Sequence, residues 1–228
     1  MRHFGQTHIG NRKPENQDRI AFSESLSRFV VADGMSGLAD GAIASQVVCE
    51  AMVGVNAPRS LESAVAAAQE AIMTLSRGAR RMGATAIAAE FGPDVCHLAW
   101  LGDCRGYLWR DGAVTRLTSD HSVEAMLRGS SARPASTRDS DTVTRYFGSD
   151  DAVASYATVK LRAQDWVLLC TDGIWRVVSD SEIRDLLGDA DSPQDAVFAL
   201  VARALGAGAP DNLGVYLVDP EQGPAVVS

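Results

Sequence analysis

The chain is predicted to adopt an α+β fold in four layers, α-β-β-α, with two mainly antiparallel sheets flanked by a helix pair on each outer face. Three observations predict this. Short apolar runs separated by turn residues fill the middle of the chain, so successive strands should return as hairpins. Two helical stretches precede that β-rich middle and two more follow it, so strands and helices fall in blocks instead of alternating as they would in a parallel α/β chain. Of the 228 residues 46% are hydrophobic, enough for a sizeable core, and we expect a single domain over 1–228.

Taken in order, FVVAD reads as a buried strand closing at Asp33. Apolar positions at helical spacing predict helices over Gly41 to Val55 and Leu61 to Arg80, the second opened by Ser60 with Ser63 where a capping-box Glu would stand. ATAIAAEF, VCHLAWLGD and RGYLWR are strands separated by Gly92-Pro93-Asp94 and by Gly102 to Arg105, and Asp111-Gly112 turns the chain into AVTRLT. From His121 to Asp141 the Ser, Arg and Asp content predicts a short helix and a mobile flap. Strands near Thr142 to Phe147, Ala154 to Leu161 and Trp166 to Thr171 follow, then helices over Ser181 to Leu187 and Pro193 to Leu205, then a last strand at Leu213 to Val218. No internal repeat is visible, and the tail Glu221 to Ser228 is expected to fray.

A formal net charge of -8 argues against nucleic acid or an anionic membrane as the main partner. Cys49, Cys96, Cys104 and Cys170 lie in apolar runs without C-x-x-C spacing, as small core thiols do, which fits a reducing cytoplasm. The first residues lack the apolar stretch of a signal peptide and no later run reaches the length of a membrane span, so a cytoplasmic protein is expected.

Asp33, Asp103, Asp172 and Asp211 each stand at one end of an apolar stretch. Any single one could be an ordinary strand-end aspartate. Together, three of them beside Gly or Asn, they deliver carboxylates to one edge of a core. There they would repel one another unless a hard cation such as Mg²⁺ or Mn²⁺ neutralised them.

The strings RKPENQD, VVADGMSG, MGATAIAA, LGDCRGYL, LTSDHS, VTRYFG, CTDGIW and PDNLGVYLV, in that order, resemble the successive motifs of the metal-dependent serine/threonine phosphatases of the protein phosphatase 2C (PPM) type, in their compact bacterial form. The resemblance covers nearly the whole chain and implies the same α-β-β-α sandwich. It implies that Asp33 bridges two Mg²⁺ or Mn²⁺ ions, with the carbonyl of Gly34 on one and Asp172 and Asp211 completing the other. Asp18 would hold metal-bound water, Asp103 would belong to a third, weaker metal site, and Asn212 would stand beside the last ligand. A water bridging the two ions would attack the phosphomonoester. Lys13, where the family usually has Arg, would hold the substrate phosphate, with Arg12 as its neighbour. The implied partners are phosphorylated proteins and an opposing Ser/Thr kinase, and the implied state is a monomer.

The sequence also departs from that pattern. No histidine follows Asp33-Gly34, so none is placed there to protonate the leaving alkoxide. His121 opens the flap and is expected to hydrogen-bond the loop structurally; His3, His8 and His97 are expected to be structural too. Gly214 replaces a Thr or Ser at the cost of one hydrogen bond. Arg176 stands where many members carry an aspartate for the third metal, and either pairs with Asp103 or turns to solvent. The four tryptophans are expected in the core. Two rival readings follow from these departures and from the carboxylates: a catalytically weak phosphoprotein-binding or regulatory module, and a two-metal phosphodiesterase or nuclease, the latter opposed by the acidic charge.

Overall fold

The computed structural model describes residues 1–35, 40–76, 81–127 and 142–220. Most of the expected flap, with Arg128, Arg133 and Arg138, lies outside the described residues. So do Ser36 to Leu38, the end of the second predicted helix beyond 76, and the tail from Glu221.

In chain order the elements are β1 (Arg2–His8), β2 (Asp18–Ser23), β3 (Arg28–Gly34), α1 (Gly41–Val53), α2 (Leu61–Leu75), β4 (Ala84–Phe91), β5 (Val95–Leu101), β6 (Arg105–Arg110), β7 (Ala113–Arg116), α3 (Val123–Leu127), β8 (Ser155–Lys160), β9 (Trp166–Cys170), α4 (Asp172–Trp175), α5 (Asp180–Gly188), α6 (Pro193–Gly206) and β10 (Leu213–Asp219). They form two five-stranded sheets in the orders β1-β10-β9-β6-β7 and β2-β3-β4-β5-β8. Every pairing is antiparallel.

Side-chain alternation builds the layers. In β3, Phe29 and Val31 point between the sheets, whereas Val30 and Ala32 point outward, against α1 and α2. In β9 and β10, Val167, Leu169, Tyr216 and Val218 meet them from the other sheet, while Leu168, Cys170, Val215 and Leu217 pack outward on α5 and α6. Three apolar interfaces between four layers result, as expected from the blocks of strands and helices.

Helix starts follow their caps. Ser60 accepts from the Ser63 amide at the head of α2, and Ser179 with Glu182 forms a complete capping box on α5. Arg28 is fully buried: its guanidinium pairs with Glu90 and donates to the carbonyls of Met52, Pro58 and Arg59, fastening the end of α1 to the sheet.

The strand predicted over Thr142 to Phe147 is not one. Val143 and Phe147 make only isolated bridges, to Ser122 and Ala84. The edge of the second sheet, beside β5, is formed by β8, whose alternating half-buried and exposed residues suit an edge. All four cysteines are free and buried, as expected of core thiols. Among the described residues, no helix is long and apolar enough to cross a membrane.

Candidate active site

Register places the first two carboxylates. β2 and β3 pair with Asp18 directly opposite Asp33, so their side chains share a face. Asp103 comes from the turn that carries the chain from β5 in one sheet to β6 in the other. Asp172 opens α4 directly after β9, and Asp211 lies just ahead of β10. A cavity of about 170 Å³ is lined by Asp33, Asp103, Asp172 and Asp211, together with Thr85 and Arg176. Both sheets and the crossover between them therefore contribute an acid to one cleft. Asp18 lies behind Asp33, only 1% exposed, and Gly34 ends the same strand as Asp33.

Local sequence explains the convergence on the β9–β10 side. A Cβ on Gly173 would stand 1.8 Å from the Asn212 carbonyl, so only glycine lets α4 start against that segment and set Asp172 beside Asp211. Asn212, 3% exposed, donates from Nδ2 to the carbonyls of Ile9 (2.8 Å) and Glu15 (2.9 Å) and accepts from the Gln17 amide at 2.9 Å. Its own amide donates to Asp211 Oδ1 at 2.8 Å. One side chain thus fixes the loop between β1 and β2 onto the Asp211 segment. That loop brings Lys13 to the site, its Nζ 2.6 Å from Asp211 Oδ1, while Arg12 beside it is exposed.

The electrostatics show a site short of positive charge. Burial pushes the Asp18 carboxyl up to about 7; the charges of Asp172 and Asp211 add to this, and a hydrogen bond from Thr171 opposes it. Burial, then the charges of Asp18 and Asp172, holds Asp33 well above the usual carboxylate range. Asp103 is pushed up to about 7 by burial and by Asp172, against the pull of Arg176. Burial also raises Asp172, with Arg176 again opposing.

The donors are all hard oxygens, the chemistry Mg²⁺ and Mn²⁺ prefer. The nearby Cys104 thiol is neutral, driven up by burial, and engaged with Thr85, so it offers no soft ligand. A pair of divalent cations fits this donor set. Among the described residues no three His, Cys, Asp or Glu side chains are drawn together as a ready-made cage. Lys13 pairs with Asp211, and Arg176 with Asp103 and Asp172.

Thr171 is a participant the sequence did not reveal. Its hydroxyl donates to Asp18 Oδ2 at 2.7 Å and accepts from the Gly214 amide at 2.8 Å. A Cβ on Gly214 would come within 2.9 Å of Thr171 Cγ2 and 3.1 Å of Asp18 Oδ2. The expected loss of a hydrogen bond at Gly214 is thus offset across the strand pair, where the missing side chain makes room for Thr171 to reach Asp18. Thr171→Val keeps the shape and removes the donor. We expect it to weaken Mn²⁺ affinity by about 10- to 100-fold, the usual scale for an outer-shell partner, with Thr171→Ser restoring it. A calorimetric Mn²⁺ titration checks this, and unchanged affinity in Thr171→Val would remove Thr171 from the site.

His121 has a structural role. Its Nδ1 accepts from the Gly102 amide at 3.1 Å, so Nε2 carries the proton and donates to Ser155 Oγ at 2.9 Å. Burial lowers its pKa to about 4, so the ring is neutral near pH 7. His3, His8 and His97 bond to Tyr216, the Gly10 amide and Thr158. Trp175 departs from a pure core role, for its indole donates to the Asp103 carbonyl at 3.0 Å and lies under Arg105, 3.4 Å from the ring centroid. Arg176 turns inward to the acids, the first of its two predicted orientations.

The comparisons with known proteins agree with this fold. The serine/threonine protein phosphatase PstP of Mycobacterium tuberculosis is 29% identical over 233 residues, covering 96% of this chain and 45% of its own length, so the chain spans less than half of that relative. A solved structure of the PstP catalytic domain in complex with two manganese ions superposes with a TM-score of 0.82 at 27% identity, covering 96% of this chain and 97% of that one. PppA, described as a key regulatory component of the type VI secretion system in Pseudomonas aeruginosa, superposes with a TM-score of 0.83 at 27% identity over 95% of this chain and 96% of its own. A sequence model of the family described as Protein phosphatase 2C matches residues 4–207, and by that match this chain belongs to the protein phosphatase 2C family.

Proposed function

We propose that this chain is a single-domain, cytoplasmic, monomeric phosphatase that uses Mg²⁺ or Mn²⁺ to hydrolyse phosphoserine and phosphothreonine in proteins, opposing a Ser/Thr kinase. The observation that carries the reading is the convergence of Asp33, Asp103, Asp172 and Asp211 from both sheets on one cavity, in a chain of this family.

In this reading Asp33, the Gly34 carbonyl, Asp172 and Asp211 would hold the two cations, with Asp33 common to both. Asp18 acts from behind Asp33, kept in place by Thr171. When bound, the two cations supply an acidified water as nucleophile and offset the charge on the phosphoryl oxygens. Lys13, paired with Asp211 at the edge of the site, would orient the substrate phosphate as a point charge. Arg12, exposed beside it, contributes long-range attraction at most. No described histidine faces the cavity, so the leaving alkoxide takes its proton from solvent.

Hydrolysis of p-nitrophenyl phosphate and of a phosphothreonine peptide, with Mn²⁺ and with EDTA, tests the proposal. Mn²⁺-dependent turnover of both substrates is expected. The pairs that Lys13 and Arg176 form with Asp211 and Asp172 favour a second reading, a phosphoprotein-binding module of low turnover, and phosphopeptide binding without hydrolysis would select it.

Lys13→Ala is expected to raise KM for the phosphopeptide about tenfold, the scale of one charge-assisted hydrogen bond, with a smaller change in kcat. Lys13→Arg should keep or improve the grip. Steady-state kinetics decide; a large effect of Arg12→Ala with none from Lys13→Ala would move the phosphate contact to Arg12.

A further inference from the structure

Asp103 is a buried carboxylate, 5% exposed, on the wall of the cavity, where it faces the charge of Asp172. A carboxylate so placed needs a counter-cation. The structure supplies one from the chain itself: Arg176 Nη2 lies 3.5 Å from Asp103 Oδ2, and Arg176 Nε donates to Asp172 Oδ2 at 2.8 Å. One planar guanidinium therefore spans two acids of the site.

Its position is built in. The Arg176 amide donates to the Asp172 carbonyl at 3.0 Å, so the i,i+4 pair closes within the short helical turn α4. The guanidinium carbon stands 4.7 Å from the centroid of the Trp175 ring. That ring is fixed by its bond to the Asp103 carbonyl and by Arg105, which is held by a two-pronged pair with Asp120. The Trp175–Arg176 pair thus grips the Asp103 turn twice, once by indole and once by guanidinium.

We infer that Arg176 is the resident third cation of this site, a protein-borne charge that occupies Asp103 and limits the centre to two metal ions. The inference rests on the two-metal reading above and adds to it. A guanidinium cannot ligate a metal, and a divalent ion arriving at Asp103 would meet its charge at close range. Asp172 spends one oxygen on Arg176 and keeps the other for metal. Neutralisation of Asp103 thereby becomes independent of metal concentration, and the outer wall of the cleft presents a fixed cation to an anionic substrate.

Mn²⁺ titrations of the full chain, read by the electron paramagnetic resonance of free Mn²⁺, test this without relying on turnover. The wild type should saturate at two ions. Arg176→Asp, which replaces the charge with a ligand, should saturate at three, and Arg176→Gln should bind a third ion at least about tenfold more tightly than the wild type. Adding Asp103→Asn to either variant should abolish the gain. A thermal melt establishes that each variant is folded, and Arg176→Gln carries the test should Arg176→Asp not fold. Three ions on the wild type, or only two on both folded variants, would overturn the inference. A wild type that takes up no Mn²⁺ would instead overturn the two-metal reading on which it rests.

Discussion

Asp33→Asn should remove nearly all Mn²⁺-supported hydrolysis of p-nitrophenyl phosphate and leave the fold intact. The loss should lie well beyond the roughly 10- to 100-fold cost of an outer-shell change, because both metal affinity and the activated water depend on the residue proposed to hold both ions. Asp172→Asn and Asp211→Asn should behave alike. The same variant should be more stable than the wild type when metal is removed at neutral pH. In the metal-free protein Asp18 and Asp103 keep their protons up to about 7, against an ordinary value of 3.8. The folded state therefore binds more protons than the unfolded chain across that window. Its stability is full below about pH 4 and falls as pH rises through about 7. Asp33 is itself a buried carboxyl held well above the usual range, first by burial and then by the charges of Asp18 and Asp172, so an uncharged side chain there removes one of the groups whose ionisation produces the fall. Melting curves in EDTA from acid to neutral pH should show a flatter decline for Asp33→Asn. Substantial turnover by this variant at saturating Mn²⁺ would refute the two-metal assignment.

The largest structural effect is expected at Asn212. Asn212→Ala leaves the carbonyls of Ile9 and Glu15 and the amide of Gln17 without the partners they have at 2.8–2.9 Å. These groups are only partly buried, so at roughly 0.5–1.5 kcal/mol for each of the three hydrogen bonds a loss of about 3 kcal/mol is expected. For a chain of this size that is a fall of roughly 6–12 °C in melting temperature. Lys13 would lose its anchorage together with the loop, so KM should rise along with the fall in stability. Asn212→Asp keeps the acceptor for Gln17 and loses both donors, so it should lie close to Ala and far from wild type. A melting temperature within about 2 °C of wild type for Asn212→Ala would show that the loop is held elsewhere.

Much of the architecture was legible because its signals are local. Hairpin turns such as Asp111-Gly112 and the serine cap at Ser60 declare themselves within a few residues, whereas the capping box of Ser179 and Glu182 was missed and starts its helix slightly earlier than expected. The acids were legible because apolar strands ending in aspartate imply a shared edge. β1, RHFGQTH, escaped because it is a polar edge strand whose pairing with β10 is set by residues more than two hundred positions away. The six residues from Thr142 looked like a strand, but only Val143 and Phe147 meet partners, Ser122 and Ala84, at isolated bridges that no local signal distinguishes from a ladder. Thr171 was invisible for the same reason as β1: its role exists only because Gly214, on the neighbouring strand, leaves room. The orientation of Arg176 depended on the Trp175 platform, a tertiary feature that no spacing rule encodes.

The strand order β1-β10-β9-β6-β7 puts the last strand of the chain between the first and the ninth. Arg2 and Asp219 form an ion pair across 217 positions of sequence. Of the described strands β1 is made first and its partner β10 last, so the pairing groups of β1 stay unmet until the other eight have been made. Only then can β10 slot in, join the two halves of its sheet and bring Asp211 to the cleft. The polar character of β1, with Arg2, His3, Gln6 and His8 among its seven residues, makes it a poor template for stray strands in that interval. The cleft is therefore complete only after β10 has paired, so activity should follow the docking of that strand.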